Sequence, residues 1–127
     1  MRREPDAAVV DWLDHQPAES IWTTSITVFE ITTGLQLLAA GRRRRDLGHA
    51  FEALLAEELD GRIQSFDTTA ATAAGGIAAQ TQNAGRQVEI RDVQIAGITA
   101  ARRAQLATRN TRHFTELGIA LIDPWAV

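Results

Sequence analysis

A chain of 127 residues has room for one domain with a single core, and 45% apolar with 23% charged residues is the composition of an ordinary globular protein. Its 13 basic and 16 acidic residues leave a net charge of −3, so no bulk basic character announces nucleic-acid binding, and every basic residue is arginine. The lack of cysteine excludes disulfides and thiolate metal sites; no apolar run approaches the ~20 residues of a membrane span or forms a signal-peptide core, so a cytoplasmic protein is expected.

Pro5 and Asp6 predict a short helix to about His15, with Val9, Val10, Trp12 and Leu13 as its apolar surface, followed by a loop over 16–20. The β-branched and aromatic stretch Ile21 to Ser25 predicts a strand. From Thr27 onward Val28, Ile31, Leu35 and Leu38 recur at helical spacing, with Glu30 in the first turn. Gly41 and the run Arg42, Arg43, Arg44, Arg45 predict a bend into a second long helix. There Leu47, Phe51, Leu54, Leu55 and Leu59 face inward and Gly61 closes the helix, so the two form a hairpin.

Arg62 to Phe66 alternates as a strand does, and Asp67 with Thr68 caps an alanine-rich helix that Gly85 ends; its Gly75 and Gly76 suggest close helix packing. The segment from Ile90 to Asn110 is the one around which the rest is organised. Ile90, Val93, Ala96, Gly97, Ala100, Ala101 and Ala104 make a continuous small or apolar face, predicting a helix pressed on something flat. Asp92 sits at the start of that helix, where the unpaired amides and the dipole favour a carboxylate. After Arg102 and Arg103, Gln105 to Thr108 reads as a buried strand. A turn of helix over 112–117 and a strand from Ile119 to Ile122, stopped by Asp123 and Pro124, complete the chain. Strand and helix alternate throughout, which predicts a single α/β domain over 1–127, its parallel sheet covered by helices on both faces.

In such a sheet the functional crevice lies beyond the carboxyl ends of the strands. Glu30, Asp92 and Asn110 fall there. Two acids and an amide meeting at one point repel unless a cation sits between them, and hard oxygen donors select Mg²⁺ or Mn²⁺ over zinc. A cation that holds water and a phosphate oxygen together serves phosphodiester hydrolysis. Capping of the two helices is the structural alternative for the acids.

Four stretches carry a resemblance: TTSITVFEITTG with Glu30, IRDVQIAGI with Asp92, LATRN with Asn110 and HF after it, and the closing IDPW. In this order and spacing the chain resembles a PIN-domain protein of the VapC or FitB-like toxin group over nearly its whole length. The resemblance implies a PIN-like three-layer α/β/α fold and a Mg²⁺-dependent endoribonuclease, Mn²⁺ being a substitute, that leaves a 5′-phosphate. It further implies the toxin of a type II toxin–antitoxin pair, homodimeric and held inactive by a VapB-type antitoxin. Carried over by position, Glu30 and Asp92 match two metal-site acids, Asn110 the fourth polar residue, and Thr108 a threonine on the same strand that orients the site.

Two departures from that pattern set further expectations. The family's opening strand and its Asp have no counterpart in MRREPDAAVV, so the chain is expected to lack the central strand and the first metal-site acid. Many relatives also carry an acid three residues after the Asn, where this chain has His113. Arg42, Arg43, Arg44 and Arg45, together with Arg109 and Arg112, are candidates to contact RNA phosphates or the antitoxin, against the alternative of a solvated bend and surface ion pairs. Arg91 near the carboxylates is weighed the same way. His15, His49 and His113 form no metal-ligand spacing and read as surface or loop residues, His113 alone lying close to Asn110, and Trp12, Trp22 and Trp125 read as core or interface aromatics. A non-catalytic antitoxin-binding or dimerisation module is the alternative function. A flavodoxin-like or receiver-type domain ranks low, because the chain has neither a glycine-rich phosphate loop nor any lysine.

Overall fold

The computed structural model of the chain describes residues 15–17, 21–108 and 111–122. The predicted helix from Pro5, Trp12, Trp125, the Asp123–Pro124 stop, Arg109 and Asn110 lie outside the described residues. The chain divides into two compact units, one of Ala18–Ser65 and one of Met1–Pro17 with Phe66–Val127. Among the described residues no helix is long and apolar enough to cross a membrane.

The Ala18–Ser65 unit opens with the strand β1, Thr23–Thr24, followed at once by helix α1, Ser25–Leu37. Both differ from the expectation of a strand to Ser25 and a helix from Thr27. The cause is the cap: the Thr24 hydroxyl accepts a hydrogen bond from the Thr27 amide at 3.0 Å, which starts the helix two residues early. Glu30 consequently lies in the second turn rather than the first. Gly41, at φ 153°, turns the chain into helix α2, Arg42–Ala53, so the four arginines form a first helical turn and not a bend. The helix widens into a π turn over Leu54–Glu58, where the Leu59 amide donates to the Leu54 carbonyl at 2.9 Å, and Leu59 alone of the predicted inward residues is buried. Phe51 and Leu55 are half-buried, while Leu47, Leu54 and Ile31 are exposed. Strand β2 is only Ile63–Gln64 and pairs in parallel with β1, Thr23 opposite Ile63. Arg62 ties the pair down: its guanidinium donates to the Ile21 carbonyl at 2.9 Å and to the Glu58 carbonyl at 3.2 Å.

The second unit is built on two helices, α3 over Thr68–Asn83 and α4 over Ile90–Ala101. Asp67 caps α3 as expected, accepting from the Ala70 amide at 2.9 Å, while its other oxygen takes a 2.8 Å bond from Arg102 at the far end of α4. The start of one helix thus meets the end of the other, so they run antiparallel. Their crossing is very close. A methyl group placed on Gly97 would lie 2.6 Å from both the Ala70 carbonyl oxygen and the Ala74 Cβ. Gly75 and Gly76, the expected contact, have nothing near them and are exposed. The α3 side of the crossing is made by Ala70 and Ala74, one turn apart and both buried.

The buried set of α4 is Val93, Ile95, Ala96, Gly97, Ile98 and Thr99, wider than a single stripe, because the helix is enclosed on more than one side. Ile90, Ala100 and Ala104, predicted to face inward, are exposed, Ile90 to 62%. The buried hydroxyls of Thr81 and Thr99 are satisfied within their own helices by the carbonyls four residues back. Strand β3, Gln105–Ala107, pairs in parallel with β4, Ala120–Ile122, Leu106 opposite Leu121. Between them run the short helix α5, Thr111–Phe114, and a 3₁₀ turn over Thr115–Leu117, anchored by buried Phe114. The parallel pairing agrees with the sequence reading. The buried character predicted for Gln105 to Thr108 does not: Gln105 and Ala107 are exposed, and only Leu106 and Thr108 turn partly inward.

Candidate metal centre

The start of α4 determines where Asp92 stands. Glu89 occupies the cap position, its carboxylate accepting from the Arg91 amide at 3.2 Å and lying 3.8 Å from the Arg91 guanidinium. Asp92, third in the helix, is therefore not needed as the cap. Its carboxylate lies in the positive field of the first turn, 21% exposed, with His113 Nδ1 of α5 at 3.4 Å. His113 itself is open to solvent at 60%. Thr108 follows β3 directly, and its amide donates to the Ile122 carbonyl at 3.0 Å, so it marks the carboxyl end of a parallel pair. The structure thus brings Asp92 and His113 together, and sets Thr108 at the strand end from which the chain runs on toward α5.

Glu30 belongs to the Ala18–Ser65 unit, where it is half-buried on α1. Arg42, Arg43 and Arg45 are exposed in the first turn of α2, and Arg44 is partly covered and donates to the Gln36 side chain. No acid balances them in that turn, which is unfavourable both to the helix dipole and to the arginines themselves. Arg112 is exposed on α5, and Arg86 forms an ion pair with Glu116. Two features escaped the sequence reading. Glu89 was overlooked as the cap because glutamate seldom fills that role and Asp92 three residues on is the stronger candidate by type. The approach of His113 to Asp92, 21 positions away in the chain, leaves no trace in local pattern.

Asp92 fits a divalent ion by donor chemistry: a hard carboxylate, accessible, at a helix start that favours negative charge. Among the described residues no three His, Asp or Glu side chains gather as a ready ligand set.

Comparison with known proteins bears on what this arrangement serves. The chain is 38% identical over 124 residues to the plasmid stability protein StbB of Pseudomonas syringae pv. tomato, covering 98% of this chain and 89% of that protein. It is 34% identical, with the same shares covered, to VapC ribonuclease Y4jK of Sinorhizobium fredii. It is also similar to the crystal structure of FitAcB from Neisseria gonorrhoeae, with a TM-score of 0.89 at 29% identity over 99% of this chain and 91% of that one. The PIN-domain profile matches residues 1–119, and the chain belongs to the PIN-domain family.

Proposed function

We propose that this chain is the toxin of a type II toxin–antitoxin pair, an endoribonuclease that cleaves RNA phosphodiesters with Mg²⁺ or Mn²⁺ and acts in the cytoplasm as a single PIN domain over 1–127. Family membership and the likeness to VapC ribonuclease Y4jK support the reaction class. The observation that carries the site is Asp92, a partly exposed carboxylate in a helix start that another residue already caps. Glu30 and Asp92 are the acids assigned to the metal. When bound, the ion supplies positive charge beside the scissile phosphate and a polarised water. Asn110 and Thr108 orient that water and the phosphate by hydrogen bonding. Arg42, Arg43, Arg44, Arg45, Arg109 and Arg112 contact backbone phosphates or the antitoxin, which is of VapB type and binds a homodimer.

The test is RNA cleavage by the intact chain with Mg²⁺, with Mn²⁺ and with a chelator. Asp92→Asn and Glu30→Gln are each expected to lower the rate by about a hundredfold or more, some 3 kcal/mol of transition-state stabilisation. Melting temperature serves as the control for folding. A chain that folds and binds antitoxin, yet cuts no RNA with either ion, would sink the enzymatic reading and leave a non-catalytic binding module.

A further inference from the structure

We infer that His113 supplies a nitrogen ligand beside the Asp92 carboxylate, so that the metal site of this chain prefers a first-row transition ion over Mg²⁺. The inference rests on the reading of Asp92 as a metal-holding acid and adds the choice of metal to it. Two ligands at right angles on one ion, each at a bond length of about 2.1 Å, stand about 3 Å apart. The Nδ1 of His113 and the Oδ2 of Asp92 are separated by 3.4 Å, close to that spacing. The imidazole is 60% exposed, so its ring can turn without giving up buried contacts, while Phe114 beside it anchors the short helix that carries it. Asp92 approaches from the start of a different, well-buried helix, so the pair is held by two elements, each with buried residues of its own.

The chemistry of the pair decides the preference. A carboxylate and water suit Mg²⁺, which dehydrates reluctantly and seldom accepts nitrogen, whereas imidazole strengthens binding of manganese-to-zinc series ions. An acid at position 113 would favour the harder ion. His113 therefore substitutes one ligand type for another.

The experiment titrates Co²⁺ and Mg²⁺ separately, and Mg²⁺ against bound Co²⁺, into the full chain and its His113→Ala, His113→Asp and Asp92→Asn variants. The readouts are the visible absorption of Co²⁺ and the melting temperature. Loss of a ligand in His113→Ala should weaken Co²⁺ by about tenfold or more, at least what losing an outer-shell partner of a metal ligand costs, and leave Mg²⁺ nearly unchanged. His113→Asp should weaken Co²⁺ and tighten Mg²⁺. In the unaltered chain, Co²⁺ should displace the ring-nitrogen NMR signals of His113 and leave those of His49 in place, which keeps the inference testable if a variant does not fold. Equal effects of His113→Ala on both ions, or stronger binding of both, would overturn it, leaving His113 as an ion-pair neighbour that occupies the carboxylate. If Asp92→Asn binds both ions as the unaltered chain does, the parent reading of Asp92 fails instead, whatever His113 does.

Discussion

Asp67 shows how much one side chain can join. Its carboxylate takes the Ala70 amide on one oxygen and Arg102 on the other, linking the start of α3 to the end of α4. The hydrogen bond from the Ala70 amide, foremost, holds its pKa below the usual aspartate range; desolvation, next in size, opposes it, and the charge and hydrogen bond of Arg102 add to the lowering. A carboxyl whose folded pKa is depressed stabilises the fold above the unfolded value of about 3.9, and that contribution fades as pH falls through the lower folded value. Asp67→Asn keeps an acceptor for the cap and loses the charge. It should melt below the parent chain at pH 7, and the gap should close under acid conditions; an unchanged gap at pH 3 would contradict this account. The cap was legible, since Asp-Thr ahead of an alanine-rich run is a strong local signal. Its partner was not, because Arg102 arrives from 35 residues away.

At the scale of elements, the α3–α4 crossing sets the tightest constraint. Gly97→Ala would place a methyl 2.6 Å from the Ala70 carbonyl, and backbone cannot move aside as a flexible side chain can. The cost should be about 1–3 kcal/mol, the range for overpacking a well-packed core. Gly75→Ala and Gly76→Ala, with open space around them inside a helix, should instead stabilise by about 0.5–1 kcal/mol each. Denaturant unfolding of the three variants checks both signs at once. The helix ends offer a second comparison. Gly85 closes α3 at φ 76°, with the Arg86 amide donating to the Thr81 carbonyl, and Arg103 closes α4 in the same way at φ 52°, with the Ala104 amide donating to the Thr99 carbonyl. Arginine is strained in that conformation, so Arg103→Gly should raise stability by about 1 kcal/mol. No change in the unfolding midpoint would mean that the Arg103 side chain makes compensating contacts.

Across the whole molecule, apolar surface is shared unevenly. The Phe66–Val127 portion buries Ala70, Ala74, Val93, Ala96, Ile98 and Phe114, whereas neither α1 nor α2 buries any residue. Phe29 and Leu37 of α1 are 58% and 81% exposed, with Leu47 and Leu54 exposed as well. Large apolar side chains exposed together are the kind of surface that a partner covers. Replacing Phe29 and Leu37 with serine should leave the melting temperature of the isolated chain near that of the parent. Assembly, with a second copy or with the proposed antitoxin, should weaken by about 2 kcal/mol per central aromatic or aliphatic anchor lost. Sedimentation of parent and variant, alone and with antitoxin, reads this directly, and equal association would rule the surface out.

The chain's local chemistry was enough to order its helices and strands, to place Asp67 as a cap and to set Asp92 at the head of a helix. Apolar spacing, β-branching and capping residues act within a few positions, and those can be read along one dimension. What required the folded molecule was every choice among similar residues: Gly97 rather than Gly75 at the crossing, Glu89 rather than Asp92 as the cap, Leu59 rather than Leu47 inside, His113 beside the acid. Helical periodicity states which residues share a face, but the neighbours that cover that face come from distant segments, and only their packing decides which small residue is touched and which apolar side chain is covered.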